Sequence, residues 1–241
     1  RTYGFYVQRD LGLYCHDIEA RGARPVLGDL DDPASLAPAF AGAGRLLLVS
    51  TDALHTPGLR LAQHRAAIAA AVQAGVRHVV YTSAPAPAPT PGGSLLDDHF
   101  WTEAALFASP LDWTILRDNL YTDLILMGIG HAVATGQLFS ATGTGGRSYV
   151  TREDCARTAA AALAAATGRE IHDVGGPAAV TQDEVASIVS ELTGEKSQFT
   201  QKPDTRPYEQ NLHPSDTAPS TRALADFALV LLNANEFVYV Y

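Results

Sequence analysis

The stretch Arg45-Leu-Leu-Leu-Val-Ser50 is apolar between its two ends, which is typical of a strand that is covered on both faces. An alanine-rich segment from Leu59 to Ala74 follows and is predicted to be helical, and Gly75 stands where a left-handed residue usually ends a helix. The next apolar run, from Val76 to Ser83, predicts a second buried strand. A strand, a helix and a strand in this order form a βαβ unit with parallel strands, so the stretch predicts an α/β fold.

The same alternation continues on both sides of this unit. Further strands are predicted at Arg24 to Gly28, Leu111 to Arg117 and Ile171 to Gly175. Further helices are predicted at Pro33 to Phe40, Asp97 to Ala108 and Thr122 to Ala134, and after capping-box-like patterns that begin at Thr151 and Thr181. The polar, proline-studded segment from Lys196 to Ser220 has no period that predicts an element.

Composition excludes several classes of protein. The 241 residues include 26 acidic and 17 basic side chains, for a formal charge of −9. This balance argues against nucleic-acid binding, since duplex affinity depends on lysine and arginine side chains that neutralise phosphates. No apolar run approaches the ~20 residues that a membrane span needs. The two cysteines, Cys15 and Cys155, have no metal-ligand spacing, so no metal site and a reducing cytoplasmic location are expected.

The beginning of the sequence lacks the feature that usually opens a nucleotide-binding α/β fold. Such a fold starts with a strand, a glycine-rich turn and a helix, where backbone amides receive a pyrophosphate. Only one strand, Thr2 to Val7, and one helix, Leu11 to Ala23, fit before Gly28, and the sole methionine lies far downstream. The glycine cluster from Gly143 to Gly146 is expected to be a hairpin-type loop and not a phosphate site. We therefore expect the chain to begin at the second strand of the fold, with the first strand and its glycine-rich turn missing.

Several short motifs, taken in order, resemble a known family. They are Gly28-Asp-Leu-Asp-Asp-Pro-Ala-Ser-Leu36, Leu46-Leu-Leu-Val-Ser50, Gln63-His-Arg65, Ala74-Gly-Val76, Tyr81-Thr-Ser83, Asp98-His99, Thr102-Glu103 and Thr114-Ile-Leu-Arg117 with Tyr121. Together they resemble the NmrA-like branch of the atypical short-chain dehydrogenase/reductase family, and within it the bacterial type-two NAD(P)H:quinone oxidoreductases. The resemblance covers residues 6–194.

This resemblance implies a Rossmann-like, doubly wound parallel sheet with a small C-terminal α/β substrate lobe. It implies that residues 1–135 form the NAD(P)-binding domain and that residues 136–241 form the substrate lobe, interleaved with the sheet. NADPH is the implied cofactor, and a quinone or a similar small carbonyl compound is the implied substrate. A homodimer is one option for assembly, and neither nucleic acid nor a membrane is an expected partner.

The resemblance also assigns residues to the cofactor. Arg9 matches an arginine that contacts the adenosine 2′-phosphate, and its alternative is an exposed arginine at a strand end. Asp29 and Leu30 match positions that flank the adenine, and for Asp29 a simple turn residue is the alternative. Residues at the carboxyl ends of strands are further candidates, because open α/β sheets bind ligands there, although they could instead cap the next element. These residues are Ser50, Thr51, Thr82, Ser83, Ala84 and Arg117.

Three residues are candidates for contact with the reacting groups. The Tyr-x-x-x-Lys motif of ordinary short-chain dehydrogenases is excluded, since neither Lys196 nor Lys202 has a tyrosine four residues upstream. His99 matches a region where related reductases place a lysine. It could be a proton donor near neutral pH, and the alternative interpretation is an ordinary histidine on a helix surface. Asn119 and Tyr121 match the stretch that lines the nicotinamide and substrate pocket in quinone reductases, and local packing in a turn is their alternative.

The leading hypothesis is an NADPH-dependent oxidoreductase that passes a hydride to a quinone or a similar carbonyl compound. Such a reaction needs little acid–base chemistry from the protein, whose contribution is positioning. The main alternative is an NmrA-like protein that binds NADP(H) without catalysis and regulates a partner. A third alternative is a divergent relative that does not bind the cofactor.

Overall fold

The computed structural model describes residues 4–7, 24–89, 94–138 and 142–194, in which strands alternate with helices. The strands are β1 (Gly4–Val7), β2 (Arg24–Leu27), β3 (Arg45–Leu48), β4 (His78–Ser83), β5 (Asp112–Asp118), β6 (Gly146–Arg147), β7 (Arg169–Val174) and β8 (Val180–Thr181). The helices are a 3-10 turn (Pro33–Ser35), α1 (Leu36–Phe40), α2 (Leu59–Gln73), α3 (Leu95–Ala108), α4 (Asp123–Thr135), α5 (Arg152–Ala165) and α6 (Gln182–Thr193). The predicted α/β class is confirmed.

The largest described sheet has the strand order β3-β4-β5-β7. β3 and β5 both pair in parallel with β4, so that Leu48 lies opposite Tyr81 and Ser83 lies opposite Arg117. Between β3 and β4 runs α2, which Gly75 ends with a φ of +76°, a conformation that costs glycine little. The predicted βαβ unit is therefore confirmed, and its parallel strands present their carboxyl ends at one edge of the sheet.

A smaller sheet and a turn precede this unit. β1 and β2 form a parallel pair. After β2 the chain turns at residues 29–32, and the Ala34 N–H donates to Asp32 Oδ1 at 3.2 Å. Pro33 then occupies the first position of the 3-10 turn, which continues into α1. The acidic stretch and proline that predict a short helix from Pro33 to Phe40 thus do begin one, although its first turn is a 3-10 turn.

The core consists of apolar side chains from α1, α2, α3 and the strands β3 to β5. Each large apolar side chain that is buried in this way stabilises the fold by about 1.5–3 kcal/mol. This packing fixes α2 and α3 against β4, and with them the buried polar side chains that the two helices carry. The main core residues are Leu36, Phe40, Leu48, Ala67, Ile68, Ala71, Val79, Tyr81, Leu106 and Ile115.

Side-chain hydrogen bonds cap the helices at both predicted starts after residue 150. Thr181 Oγ1 accepts from the Glu184 N–H at 3.2 Å, and Glu184 Oε2 accepts from the Thr181 N–H at 2.7 Å, which completes a capping box for α6. At α5 the Asp154 N–H donates to Thr151 Oγ1 at 3.0 Å.

Gly146, at the end of the glycine cluster, lies in β6, which pairs antiparallel with β8. The cluster therefore leads into a strand and not into a helix.

The chain divides into two compact units that alternate along the sequence. One unit consists of Arg1–Arg117 and Arg157–His172, and the other of Asp118–Ala156 and Asp173–Tyr241. The expected roles of residues 1–135 and 136–241 stay predictions. The predicted helix from Leu11 to Ala23, the cofactor candidate Arg9 and the segment from Lys196 onward lie outside the described residues.

The described residues contain neither a membrane-spanning helix nor a cluster of metal ligands. No helix among them has the length and apolar character that a bilayer crossing requires. In the same ranges, no three or more His, Cys, Asp or Glu side chains come together as a metal-binding group.

Candidate functional site

Hydroxyl-bearing residues meet at the carboxyl ends of β3 and β4. The Ser50 N–H donates to Thr82 Oγ1 at 2.9 Å. Ser50, Thr51, Thr82 and Ala84 are half-buried, whereas Ser83 is buried. The structure thus brings the predicted cofactor candidates of these two strands to one edge, and their contact with a cofactor stays a prediction.

Thr51 is held in place by three side chains of α2. Arg60 Nε donates to the Thr51 carbonyl at 2.5 Å. The Thr51 N–H donates to His64 Nε2 at 3.0 Å, and Thr51 Oγ1 donates to Gln63 Oε1 at 2.7 Å. Arg60, Gln63 and His64 are at most 4% exposed. The loop after β3 is therefore fixed from inside the protein.

His99 lies in a buried polar cluster and not at the surface. It is 3% exposed, with Nδ1 2.8 Å from the Tyr81 hydroxyl and Nε2 3.2 Å from Arg60 Nη2. Burial, and next the nearby Arg60 charge, hold the pKa of His99 well below its usual value, so the ring is neutral near pH 7. Because a guanidinium only donates, Nε2 accepts and the ring proton is on Nδ1. The surface-histidine interpretation is wrong, and burial disfavours the imidazolium that a proton donor near neutral pH would need.

Arg117 is engaged by a buried carboxylate. Its Nε donates to Glu103 Oε1 at 3.1 Å and its Nη2 donates to Glu103 Oε2 at 2.7 Å. Ser83 Oγ donates to the same Oε1 at 2.6 Å. Glu103 is 3% exposed, so this bidentate pair joins the ends of β4 and β5 to α3. Arg117 and Ser83 therefore both bind Glu103 inside the protein. Their predicted contact with the cofactor stays a prediction.

Asp29 and Leu30 lie in the turn that follows β2. Asp29 Oδ1 accepts from the Asp31 N–H at 2.9 Å, and the Asp29 N–H donates to Ser35 Oγ at 2.8 Å. Leu30 is half-buried and packs against the core. These contacts fit the interpretation of Asp29 as a turn residue, and both residues remain candidates for the adenine.

Asn119 and Tyr121 follow the end of β5 in the second unit. The Asn119 N–H and Nδ2 both donate to the Val174 carbonyl, at 2.8 and 3.3 Å. The half-buried Tyr121 has the Arg152 guanidinium 5.3 Å from its ring centroid. Burial raises the pKa of Tyr121 above its usual value, so its hydroxyl keeps its proton near neutral pH. Both residues are thus held by local contacts, and their contact with a substrate stays a prediction.

Asp118, the last residue of β5, is a buried carboxyl group with an unsatisfied oxygen. It is 8% exposed, and its Oδ1 has no hydrogen-bond partner among the described residues. Burial raises the pKa of Asp118 to about 7, against a smaller lowering by a hydrogen bond from the Cys155 thiol. Burial likewise raises the pKa of Cys155 to about 12, which keeps it a thiol. Cys155 is itself buried, as a small apolar side chain of the core would be.

Comparison with known proteins identifies the family. Residues 15–166, more than half of the chain, match a family model that is described as NAD(P)H-binding. The chain belongs to this NAD(P)H-binding family. The predicted NAD(P)H cofactor is thereby confirmed.

Two reductases of known structure are similar to this protein over most of its length. Quinone oxidoreductase 2 of Escherichia coli is 31% identical over 209 residues, which are 86% of this chain and 68% of that protein. Its crystal structure, complexed with NADPH, aligns with a TM-score of 0.76 and 27% identity over 98% of this chain and 81% of that one. Triphenylmethane reductase of Citrobacter sp., complexed with NADP(H), aligns with a TM-score of 0.73 and 25% identity over 95% and 79% of the two chains. The predicted Rossmann-like fold is confirmed.

The predicted cofactor residues of β3 and β4 have the chemistry of a dinucleotide site, and their contact with the family's cofactor stays a prediction. Hydroxyl groups of Ser50, Thr51 and Thr82 are half-buried there, at the strand ends where dinucleotides bind in this type of fold. Networks of buried side chains fix the backbone beneath them, which favours a pre-organised site. These residues would hold parts of the dinucleotide, which supplies the hydride when bound.

Sequence reasoning missed the residues that position this edge. Arg60, Gln63 and His64 stand at spacings of three and four, so they share one face of an otherwise alanine-rich helix. That spacing is a signal for a common role. It does not by itself indicate a buried role, because polar residues on a helix more often face solvent.

Proposed function

We propose that the protein is an NADPH-dependent oxidoreductase that transfers a hydride to a quinone or a similar small carbonyl compound. The observation that carries the proposal is the similarity to the E. coli quinone oxidoreductase, in sequence over most of the chain and in structure. A homodimer and a cytoplasmic location remain expectations from the sequence.

The candidate catalytic residues His99 and Tyr121 are suited to positioning the reactants and not to transferring protons. His99 is buried and neutral, and the Tyr121 hydroxyl has a raised pKa, so neither group titrates near pH 7. Reduction of a quinone needs a hydride and a proton, and water supplies the proton to the oxygen of the product. A site that orients two planar rings and does no acid–base chemistry is sufficient for this reaction.

The direct test is an assay of nicotinamide absorbance with purified protein, NADPH and a benzoquinone. We expect loss of absorbance that requires both the protein and the quinone, and that saturates with each substrate. NADPH binding measured by calorimetry without any quinone-dependent turnover would contradict the enzyme and support a non-catalytic NADP(H) sensor. No binding at all would instead support a relative that has lost the cofactor.

Replacing Tyr121 by alanine tests the proposed substrate contact. We expect the KM for benzoquinone to rise about tenfold, because stacking on an aromatic ring contributes about 0.5–1.5 kcal/mol beyond area burial. The Tyr121→Phe variant keeps the ring and should keep most of the affinity, which makes it the matched control. An unchanged KM in Tyr121→Ala would remove Tyr121 from the substrate site.

A further inference from the structure

Gln63 connects two loops that carry predicted cofactor residues. Its Oε1 accepts from Thr51 Oγ1 at 2.7 Å, in the loop that follows β3. Its Nε2 donates to Asp31 Oδ1 at 2.7 Å, in the turn that follows β2. The Gln63 side chain is buried, and the core holds α2, on which it stands. The spacing between the two loops is thus set by one amide.

The orientation of that amide is determined by its neighbours. The Asp31 carboxylate only accepts hydrogen bonds, so it must face the Gln63 NH2 group. The carbonyl of the amide then faces Thr51, whose hydroxyl has to donate. In the reversed orientation two oxygens would face each other at Asp31. The observed arrangement is therefore the one that satisfies both ends.

The rest of α2 holds the Thr51 loop independently of Gln63. Arg60 donates to the Thr51 carbonyl, and His64 Nε2 accepts from the Thr51 N–H. Burial holds the pKa of His64 well below its usual value, so the ring stays neutral and Nε2 remains an acceptor. On the other side, the Asp31 N–H donates to Asp29 Oδ1, so Asp31 is tied to the residue that is predicted to flank the adenine.

We propose that Gln63 is a positioning residue that fixes the turn after β2 relative to the loop after β3 and thereby sets the affinity for NADPH. Gln63 does not touch the cofactor in this proposal and acts through Asp31 and Thr51. The inference rests on the cofactor part of the proposed function and is independent of the substrate that accepts the hydride. Because the resemblance assigns this turn to the adenine, remote from the reacting ring, the effect should be on binding and not on turnover.

The Gln63→Leu variant removes both hydrogen bonds at similar volume. We expect the Kd for NADPH, measured by calorimetry, to rise about tenfold, the size of one lost charge-assisted hydrogen bond. The kcat at saturating NADPH should stay within about twofold of the wild type, which is the pattern of lost uniform binding. Gln73→Leu, at an exposed position near the end of the same helix, is the matched control and should leave the Kd unchanged.

A pair of substitutions distinguishes positioning from a general loss of stability. Gln63→Glu places a carboxylate against the Asp31 carboxylate and should also weaken NADPH binding. Adding Asp31→Asn restores a donor–acceptor pair with the donor and acceptor exchanged, so the double variant should recover most of the affinity.

Each outcome of these measurements decides between the proposals. An unchanged NADPH Kd in both Gln63→Leu and Gln63→Glu, with a lowered Tm, would overturn the positioning role and leave Gln63 a structural residue. A weakened Gln63→Glu that Asp31→Asn fails to rescue would also overturn it. If the wild type binds NADPH but does not reduce benzoquinone, the proposed substrate fails while the role of Gln63 is still measured.

Discussion

At pH 8, the Asp118→Asn variant is expected to be more stable than the wild type by about 4 kcal/mol, because the pKa difference of about three units converts at about 1.4 kcal/mol per unit. The pKa of Asp118 is about 7 in the folded chain, against ~3.9 in an unfolded chain. The folded state therefore binds more protons between about pH 4 and pH 7, and stability falls as the pH rises through this window. Above pH 7 the wild type carries the full cost of a buried carboxylate, whereas an asparagine amide carries no charge at any pH.

Urea unfolding of both proteins at pH 5 and pH 8 measures this difference. The advantage of Asp118→Asn should be about 1.5 kcal/mol at pH 5 and about 4 kcal/mol at pH 8. Asp173→Asn, which changes an exposed carboxyl group of β7, is the control and should stay within about 0.5 kcal/mol of the wild type at both pH values. If Asp118→Asn destabilises the protein more at pH 8 than at pH 5, the carboxylate has a stabilising partner and the argument is wrong.

Replacing Glu103 by alanine should lower the free energy of unfolding by about 3 kcal/mol. The substitution removes the bidentate partner of Arg117 and the acceptor of the Ser83 hydroxyl, both at a buried position. Breaking a buried ion pair by deleting one partner is costly because the other charge loses its compensation, although the partly exposed Arg117 recovers some hydration.

Two further variants test whether the ion pair explains that loss. Glu103→Gln keeps the shape and one acceptor oxygen, but it removes the charge and places an NH2 group against a donor, so it should cost about 2 kcal/mol. Glu191→Ala removes an exposed glutamate of α6 and should be close to neutral. Equal losses in Glu103→Gln and Glu191→Ala would show that the charge at position 103 contributes nothing to stability.

The strands and helices could be predicted because local pattern and tertiary environment agree. The apolar run Arg45-Leu-Leu-Leu-Val-Ser50 forms β3, which pairs in parallel with β4 and places Leu48 in the core. Gly75 ends α2 because it adopts a positive φ. The edge that carries Ser50 and Thr82 follows from the same logic, since parallel strands end together. The short helix from Pro33 to Phe40 is likewise predictable, because an acidic stretch and a proline mark its start.

The side-chain partners could not be predicted, because they come from distant elements. The spacing of Arg60, Gln63 and His64 shows that they share a helix face, yet it does not show which face turns inward. The sequence left His99 between a proton donor and a surface histidine, since its partner Tyr81 comes from a strand and looks like an ordinary core residue. Arg117 at a strand end was assigned to the cofactor, and nothing in its local sequence indicates that Glu103 engages it.

The hydrogen-bond network around Thr51 has a single direction, from a group that only donates to a group that only accepts. It begins at Arg60, passes through Thr51 and Gln63, and ends at the Asp31 carboxylate. During evolution, a single substitution that turns a donor into an acceptor, or an acceptor into a donor, would place two donors or two acceptors against each other. Such single substitutions should therefore be selected against. Positions 31 and 63 are therefore expected to change together as the family diverges, exchanging acid and amide as a pair.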